Sequence, residues 1–222
     1  MKTILISGGS DGLGKAIATR LSKSYKVIIL SPNEDKLREV SEEIGCEYKV
    51  GDVRDYARMA QIVQEIGVVD CVINNAGLWL QGALDETDPD RIREVIEVNT
   101  IGTINLTKAV MPAMKRQGSG LIINVISQAG LNARAGWPVY IASKWAITGF
   151  TKSMQQELEP FGIRVTGLYP STMNTEMFAK SGAPKDVSKD LDTDDVAKTV
   201  EFMLNLDESI ELPEIGIKRL KS

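Results

Sequence analysis

Lys2-Thr3-Ile4-Leu5-Ile6-Ser7-Gly8-Gly9-Ser10-Asp11-Gly12-Leu13-Gly14 is the stretch on which the reading of this chain turns. Lys2 to Ser7 is a short β-rich run, and Leu13 to Lys23 has the spacing of an amphipathic helix. The glycines therefore fall on a strand-to-helix turn. Glycines at such a turn let the backbone approach a ligand closely. The helix that opens there presents unpaired N–H groups and a partial positive charge, which suit a pyrophosphate. Without the strand before and the helix after, the same residues would be only a structural turn.

The alternation continues outward. Lys26 to Leu30 reads as a strand, Glu34 to Ile44 as a helix, Glu47 to Val50 as a strand and Tyr56 to Ile66 as a helix. Asp70 to Ile73 is a fourth strand. Asp88-Pro89 then opens a helical pattern that runs to about Gln117, interrupted near Asn99 and kinked at Pro112. Leu121 to Ile126, Ile163 to Leu168 and Leu212 to Leu220 complete the strands, with helices over Tyr140 to Glu159 and from Asp194 to about Asn205. Parallel neighbours need a crossover helix, so this order predicts an α/β chain: a doubly wound Rossmann fold with a seven-stranded parallel sheet flanked by helices on both faces. Its 222 residues suit a single domain spanning 1–222.

Charged residues are 25% of the chain and the net charge is −4, with no basic cluster, so nucleic acid is not an expected partner. No run approaches the roughly 18 apolar residues of a spanning helix, and the apolar run Ile4 to Ile6 passes straight into the glycine turn as a first strand. The expectation is a cytoplasmic protein with no membrane partner. Cys46 and Cys71 are expected to be reduced and packed. The chain has no histidine, so a His-based triad and a His-ligated zinc are excluded, and no metal site is expected.

Ser127 lies at the end of a predicted strand, with Tyr140 twelve intervening residues later and Lys144 one helical turn beyond. Positions i and i+4 share a helix face. The Lys144 ammonium is expected beside the Tyr140 hydroxyl, bringing a phenol of reference pKa about 10 toward neutrality so that it exchanges protons at pH 7.

A lone Tyr-x-x-x-Lys is common, but together with the glycine turn and Asn74-Asn75-Ala76-Gly77 this spacing resembles the short-chain dehydrogenase/reductase family across nearly the whole chain. The resemblance implies reversible hydride transfer between a nicotinamide cofactor and a small-molecule carbonyl or alcohol. Tyr140 would protonate the developing alkoxide, Ser127 would hydrogen-bond the substrate oxygen, and Lys144 would tune Tyr140 and hold the ribose. Asn99 would kink its helix and order a water beside the lysine.

The cofactor is assigned to Gly8, Ser10, Asp11, Gly12, Leu13 and Gly14 at the turn, and to Asn75, Ala76 and Gly77, where an open parallel sheet binds ligands. Asp52, with Val53, would reach the adenine; alternatively Asp52 caps the following helix. Tyr140, Lys144, Pro170, Met173 and Thr175 complete the contacts, Thr175 at the place of a carboxamide-binding threonine although Ser171 replaces the usual glycine.

An NAD site normally has a carboxylate at the end of the second strand. Ser31 stands there, and the hydroxyls of Ser31 and Ser10 with the Asn33 amide suit a 2'-phosphate. The lean is to NADP(H), with NAD(H) the alternative because Asp11 restores some repulsion. Leu78, Trp79, Trp137, Met173, Met177 and Phe178 suggest an apolar substrate side. The apolar face of the last long helix, including Ala142, Trp145, Ala146, Ile147 and Phe150, suggests a homodimer or homotetramer. The competing readings are a silent nucleotide-binding regulator and an isomerase or dehydratase of the same fold.

Overall fold

In the computed structural model, which describes residues 1–177, 186 and 189–220, the first strand β1 (Thr3–Ser7) is buried along its whole length. Its alternate side chains enter two cores: Ile4 and Ile6 face one, Leu5 the other. This period of two is what a sheet covered on both faces demands. The sheet continues as β2 (Lys26–Ser31), β3 (Glu47–Val50), β4 (Cys71–Asn74), β5 (Gly120–Val125), β6 (Ile163–Pro170) and β7 (Glu214–Ile217). All pairs are parallel and the strand order is β3-β2-β1-β4-β5-β6-β7. The chain reverses its direction of travel between β1 and β4, so the crevice of the fold opens there, at the carboxyl ends of the strands.

Helices α1 (Gly12–Leu21), α2 (Glu34–Ile44) and, late in the chain, α7 (Thr193–Leu204) cover the Ile4/Ile6 face. Helices α3 (Tyr56–Ile66), α5 (Gly102–Gln117) and α6 (Pro138–Leu158) cover the Leu5 face. Short polar side chains start them: Asn33 accepts from the Lys36 amide ahead of α2, and Asp55 from the Arg58 amide ahead of α3. Helix α4 (Pro89–Ile96), capped by Asp88, runs into a π-helical turn at Glu97–Ile101 before α5. The expected interruption is that turn, whereas α5 passes through Pro112 as one helix.

The carboxyl ends of β4 and β5 carry a buried polar ladder. Asn74 donates to Thr107 on α5 (2.9 Å) and to the Asn124 side chain (2.8 Å), and Asn124 donates to Thr151 on α6 (2.9 Å). Asn74 is thus a brace between sheet and helices. Strand β7 is shorter than expected. Pro213 has no N–H to pair, and Ile217 is matched with Pro170, where β6 ends. Both cysteines are free, Cys71 buried and Cys46 only half-buried. On α6, Ile147 is buried with Ile126 and Tyr169, so it does not belong to the outward face that Ala142, Trp145 and Ala146 present.

Candidate active site

The strand-to-helix turn and the loop after β4 are pressed together. A Cβ at Gly8, whose φ is +65°, would lie 2.9 Å from the Ala76 Cα, and one at Gly14 would collide with the Gly8 carbonyl. Glycine is required at both places by packing alone. The Asn75 amide donates to the carbonyls of Ser7 (3.1 Å) and Gly8 (3.2 Å), while the Ser7 hydroxyl accepts from the backbone of Asn75 and Ala76. Asp11 caps α1 by accepting from the Gly12 N–H at 2.7 Å. One of the turn's expected free donors is therefore already used, leaving the remaining N–H groups of the first turn for a phosphate. Leu13 lines the cleft beside this turn, although it is buried and belongs to the core.

A cleft of about 300 Å³ opens beside this turn. Its walls include Gly8, Ser10, Asp11, Gly12, Asn75, Ala76 and Gly77 at one end, and Ser127, Tyr140, Lys144, Pro170, Met173 and Thr175 further along. A methyl of Thr175 stands 3.5 Å from where a Gly12 Cβ would be, which brings the two ends of the chain's site across from each other. A glycine cradle at a helix N-terminus that continues into an apolar slot fits a nicotinamide dinucleotide. The cleft walls do not include Gly14, Ser31, Asn33, Asp52, Val53 or Asn99.

Ser127 leaves β5 with φ 124° and ψ 157°, the one non-glycine residue with positive φ among the described residues. That backbone region is close to glycine-only and costs about 1–3 kcal/mol. Its hydroxyl accepts from the Ala129 amide (3.2 Å), and Ser127 lines the same cleft as Tyr140. Tyr140 and Lys144 are each only 6% exposed. The Lys144 Nζ lies over the Tyr140 ring, 5.7 Å from its centre, and donates to the Val125 carbonyl at 3.2 Å.

The expected downward shift of the phenol is not what the free chain has. Burial pushes Tyr140 up to about 12, and the polar Ser127 side chain offsets only part of that. Burial also draws Lys144 down to about 8, because both charged forms lose water. Asn99 sits in the π-helical turn and is fully engaged. Its carbonyl oxygen accepts from the Leu78 N–H (2.7 Å), and its amide donates to the Leu78 carbonyl and the Ser143 hydroxyl, both at 3.0 Å. Its side chain is a clamp on the Leu78 loop.

That loop forms an apolar part of the cleft wall. The Gly82 N–H donates to the Gly136 carbonyl at 2.8 Å and ties the loop to the segment before α6. Trp79 then meets Trp137 edge-on at 4.3 Å and Tyr140 at 4.5 Å between ring centres. The Arg134 guanidinium covers the Trp137 ring at 4.2 Å. Leu78, Met173 and Met177 add apolar surface; Phe178 lies outside the described residues. Arg91 and Glu176 also line the cleft, and sequence reasoning passed over both. Arg91 sits in the first turn of α4 among other charged residues, and nothing local marks it as facing a cavity.

At the second-strand end, Ser31 is buried and accepts from Ser10 Oγ (3.1 Å) and the Asn33 N–H (3.3 Å). Asn33 spends its oxygen on capping α2 but keeps its amide NH2. Asp52 does not cap α3; Asp55 does. Asp52 instead pairs with Arg54 at 2.6 Å, and that hydrogen-bonded guanidinium holds its carboxyl below the usual range. Val53 packs into the core, and its carbonyl accepts from Asn105.

Comparison with known proteins places this site in a family. Residues 2–186 match the model for short chain dehydrogenases. The chain is 34% identical over 227 residues to trans-4-hydroxycyclohexanecarboxylate dehydrogenase of Sinomonas cyclohexanicum, covering 94% of this chain and 87% of that protein. It is 38% identical over 185 residues to 3-dehydrosphinganine reductase TSC10B of Arabidopsis thaliana, covering 79% of this chain but only 56% of that longer relative. Among solved structures, an alcohol dehydrogenase from the archaeon Thermococcus sibiricus complexed with 5-hydroxy-NADP superposes over 100% of both chains with a TM-score of 0.89 at 27% identity. With its seven-stranded parallel sheet, glycine turn and Ser127, Tyr140 and Lys144 gathered at one cleft, the chain belongs to the short-chain dehydrogenase/reductase family of oxidoreductases.

Proposed function

We propose that this chain interconverts a carbonyl compound and the corresponding secondary alcohol with a nicotinamide cofactor, NADP(H) in preference to NAD(H). The observation that carries the reading is the gathering of Ser127, Tyr140 and Lys144 on the wall of one cleft beside the glycine turn, with Tyr140 and Lys144 both buried one helical turn apart. When bound, the nicotinamide supplies the hydride in reduction and takes it up in oxidation.

The chain's own residues handle the oxygen. In reduction the carbonyl π pair moves onto oxygen as the new C–H bond forms, and Tyr140 gives that oxygen its proton. The phenolate is then reprotonated from solvent. Ser127 hydrogen-bonds the same oxygen, and its strained backbone holds the hydroxyl where charge develops. Lys144 holds the ribose and, once charged, favours the phenolate. Gly8, Ser10, Gly12, Asn75, Ala76, Gly77 and Thr175 hold the dinucleotide, with Asn99 fixing the Leu78 loop beside it.

The preference for NADP(H) rests on Ser31, which puts a hydroxyl where an NAD site would have a carboxylate, and on Ser10 bonded to it. The Thermococcus sibiricus relative, complexed with an NADP derivative, is consistent with this choice. The relatives carry names for chemically different substrates, so no single substrate transfers from them.

A panel of cyclic and aliphatic ketones incubated with NADPH or NADH tests the reading. The expected result is one alcohol formed per NADPH oxidised, faster than with NADH at equal concentration. Failure of every ketone and of the reverse reaction with the corresponding alcohols, under conditions where NADPH binds, would overturn it.

A further inference from the structure

The outer part of the cleft holds a cation that hydride transfer does not use. Among the described residues, four charged side chains line the cleft: Asp11, Arg91, Lys144 and Glu176. Asp11 caps α1 and Lys144 is bonded to the Val125 carbonyl beside Tyr140, so both belong to the cofactor and the chemistry. Glu176 is already engaged within the chain. Arg91 reaches the same cavity from α4, and the cavity walls also carry Leu78, Trp79, Trp137 and Met177.

Arg91 pairs with Glu94 on its own helix, and its side chain is still 45% exposed. A half-exposed pair three residues apart on one helix is weak, so it is readily exchanged for a better acceptor. A neutral apolar ketone filling the cleft would take water from the guanidinium and return no acceptor, which costs free energy. A substrate carboxylate would meet its paired donors side by side, in the geometry that suits this ion best.

We infer that Arg91 receives a carboxylate on the substrate. The substrate is then an oxo acid, or the matching hydroxy acid, whose apolar body lies along Trp79 and Trp137 between the carboxylate and the reacting carbon. This inference rests on the carbonyl-reductase reading of the cleft, but its test does not require turnover.

Quenching of tryptophan fluorescence, with Trp79 and Trp137 as reporters, measures binding of two unreactive probes to the full chain in the presence of NADP+. The probes are cyclohexanecarboxylate and cyclohexanecarboxamide, which differ only in charge. In the wild type the carboxylate is expected to bind at least about tenfold tighter, as a charge-assisted contact implies. Arg91→Gln should abolish that difference while leaving the amide's affinity unchanged, and Arg91→Lys should keep part of it. Equal binding of the two probes by the wild type, no binding of either, or an undiminished difference in a folded Arg91→Gln variant would overturn the assignment. If the carboxylate binds through Arg91 but no oxo acid is reduced with NADPH, the hydride-transfer reading fails and the anion site stands.

Discussion

The amine of Lys144 lies 5.7 Å from the ring centre of Tyr140, on a helix turn where both residues are buried, and it is bonded to a backbone carbonyl of β5. Desolvation dominates at that distance: the phenol is pushed up to about 12 and the ammonium down to about 8. Tyr140 in the free chain is therefore a protonated acid at neutral pH, the form that carbonyl reduction consumes. Lowering it enough to act as a base falls to whatever brings charge and polar groups into the cleft.

Tyr140→Phe is expected to lower kcat by about 100 to 10,000-fold, the range for losing a general acid. Cofactor affinity should stay within a few-fold, because only the proton-carrying oxygen is removed. Steady-state rates together with a cofactor titration check this. Retention of more than half the wild-type rate would refute the assignment.

Lys144→Met should make the protein more stable below pH 8 while removing most turnover. Lys144 has its pKa drawn from 10.5 to about 8 in the folded chain. Between those values the unfolded chain binds more protons, so wild-type stability rises with pH across that window and falls as pH drops through about 8. The methionine variant lacks this dependence. Denaturation midpoints on either side of the window are the measurement, and a variant less stable than wild type below pH 8 would contradict the sign.

Ser127→Gly and Ser127→Ala should both lose activity but part ways in stability. At φ 124° an alanine keeps the strain and a glycine releases it. Urea denaturation is expected to find the glycine variant more stable than the alanine variant by about 1–3 kcal/mol. Equal midpoints would mean that the backbone at this position is not strained.

Ser31→Asp should turn cofactor preference toward NADH. It places a carboxylate against Ser10 at the end of β2, where it would accept from the ribose and repel a 2'-phosphate. A change of about tenfold or more in the ratio of NADPH to NADH dissociation constants is expected, about 1.4 kcal/mol. A wild type that binds NADH more than tenfold tighter than NADPH would reverse the proposed preference.

Association through α6 is the remaining expectation. Trp145 is 52% exposed, beside exposed Ala142 and Ala146 on the same helix. A large apolar ring among small residues suits helix-to-helix contact between copies of the chain. Sedimentation of the wild type should give a dimer or tetramer, and Trp145→Glu should shift it toward the 24.3 kDa monomer. A wild type that is monomeric at micromolar concentration would remove this proposal.

The elements whose signals are local were legible before any coordinates. Ile4 to Ile6 form a buried strand, Asp88 starts a helix, and the glycines of the first turn stand between a strand and a helix. Period and capping depend on residues a few places apart, so the chain states them directly. Asp52 shows the limit, since Asp55, three residues on, took the cap and left Asp52 to Arg54. What tertiary structure alone decided lies between distant residues. The strain at Ser127, the burial that drives Tyr140 and Lys144 apart in pKa, and the wall of Trp79 on Trp137 all depend on packing. So does the opening of Arg91 onto the cleft. Desolvation and approach are properties of the space between elements, and neither composition nor spacing records which side chains that space encloses.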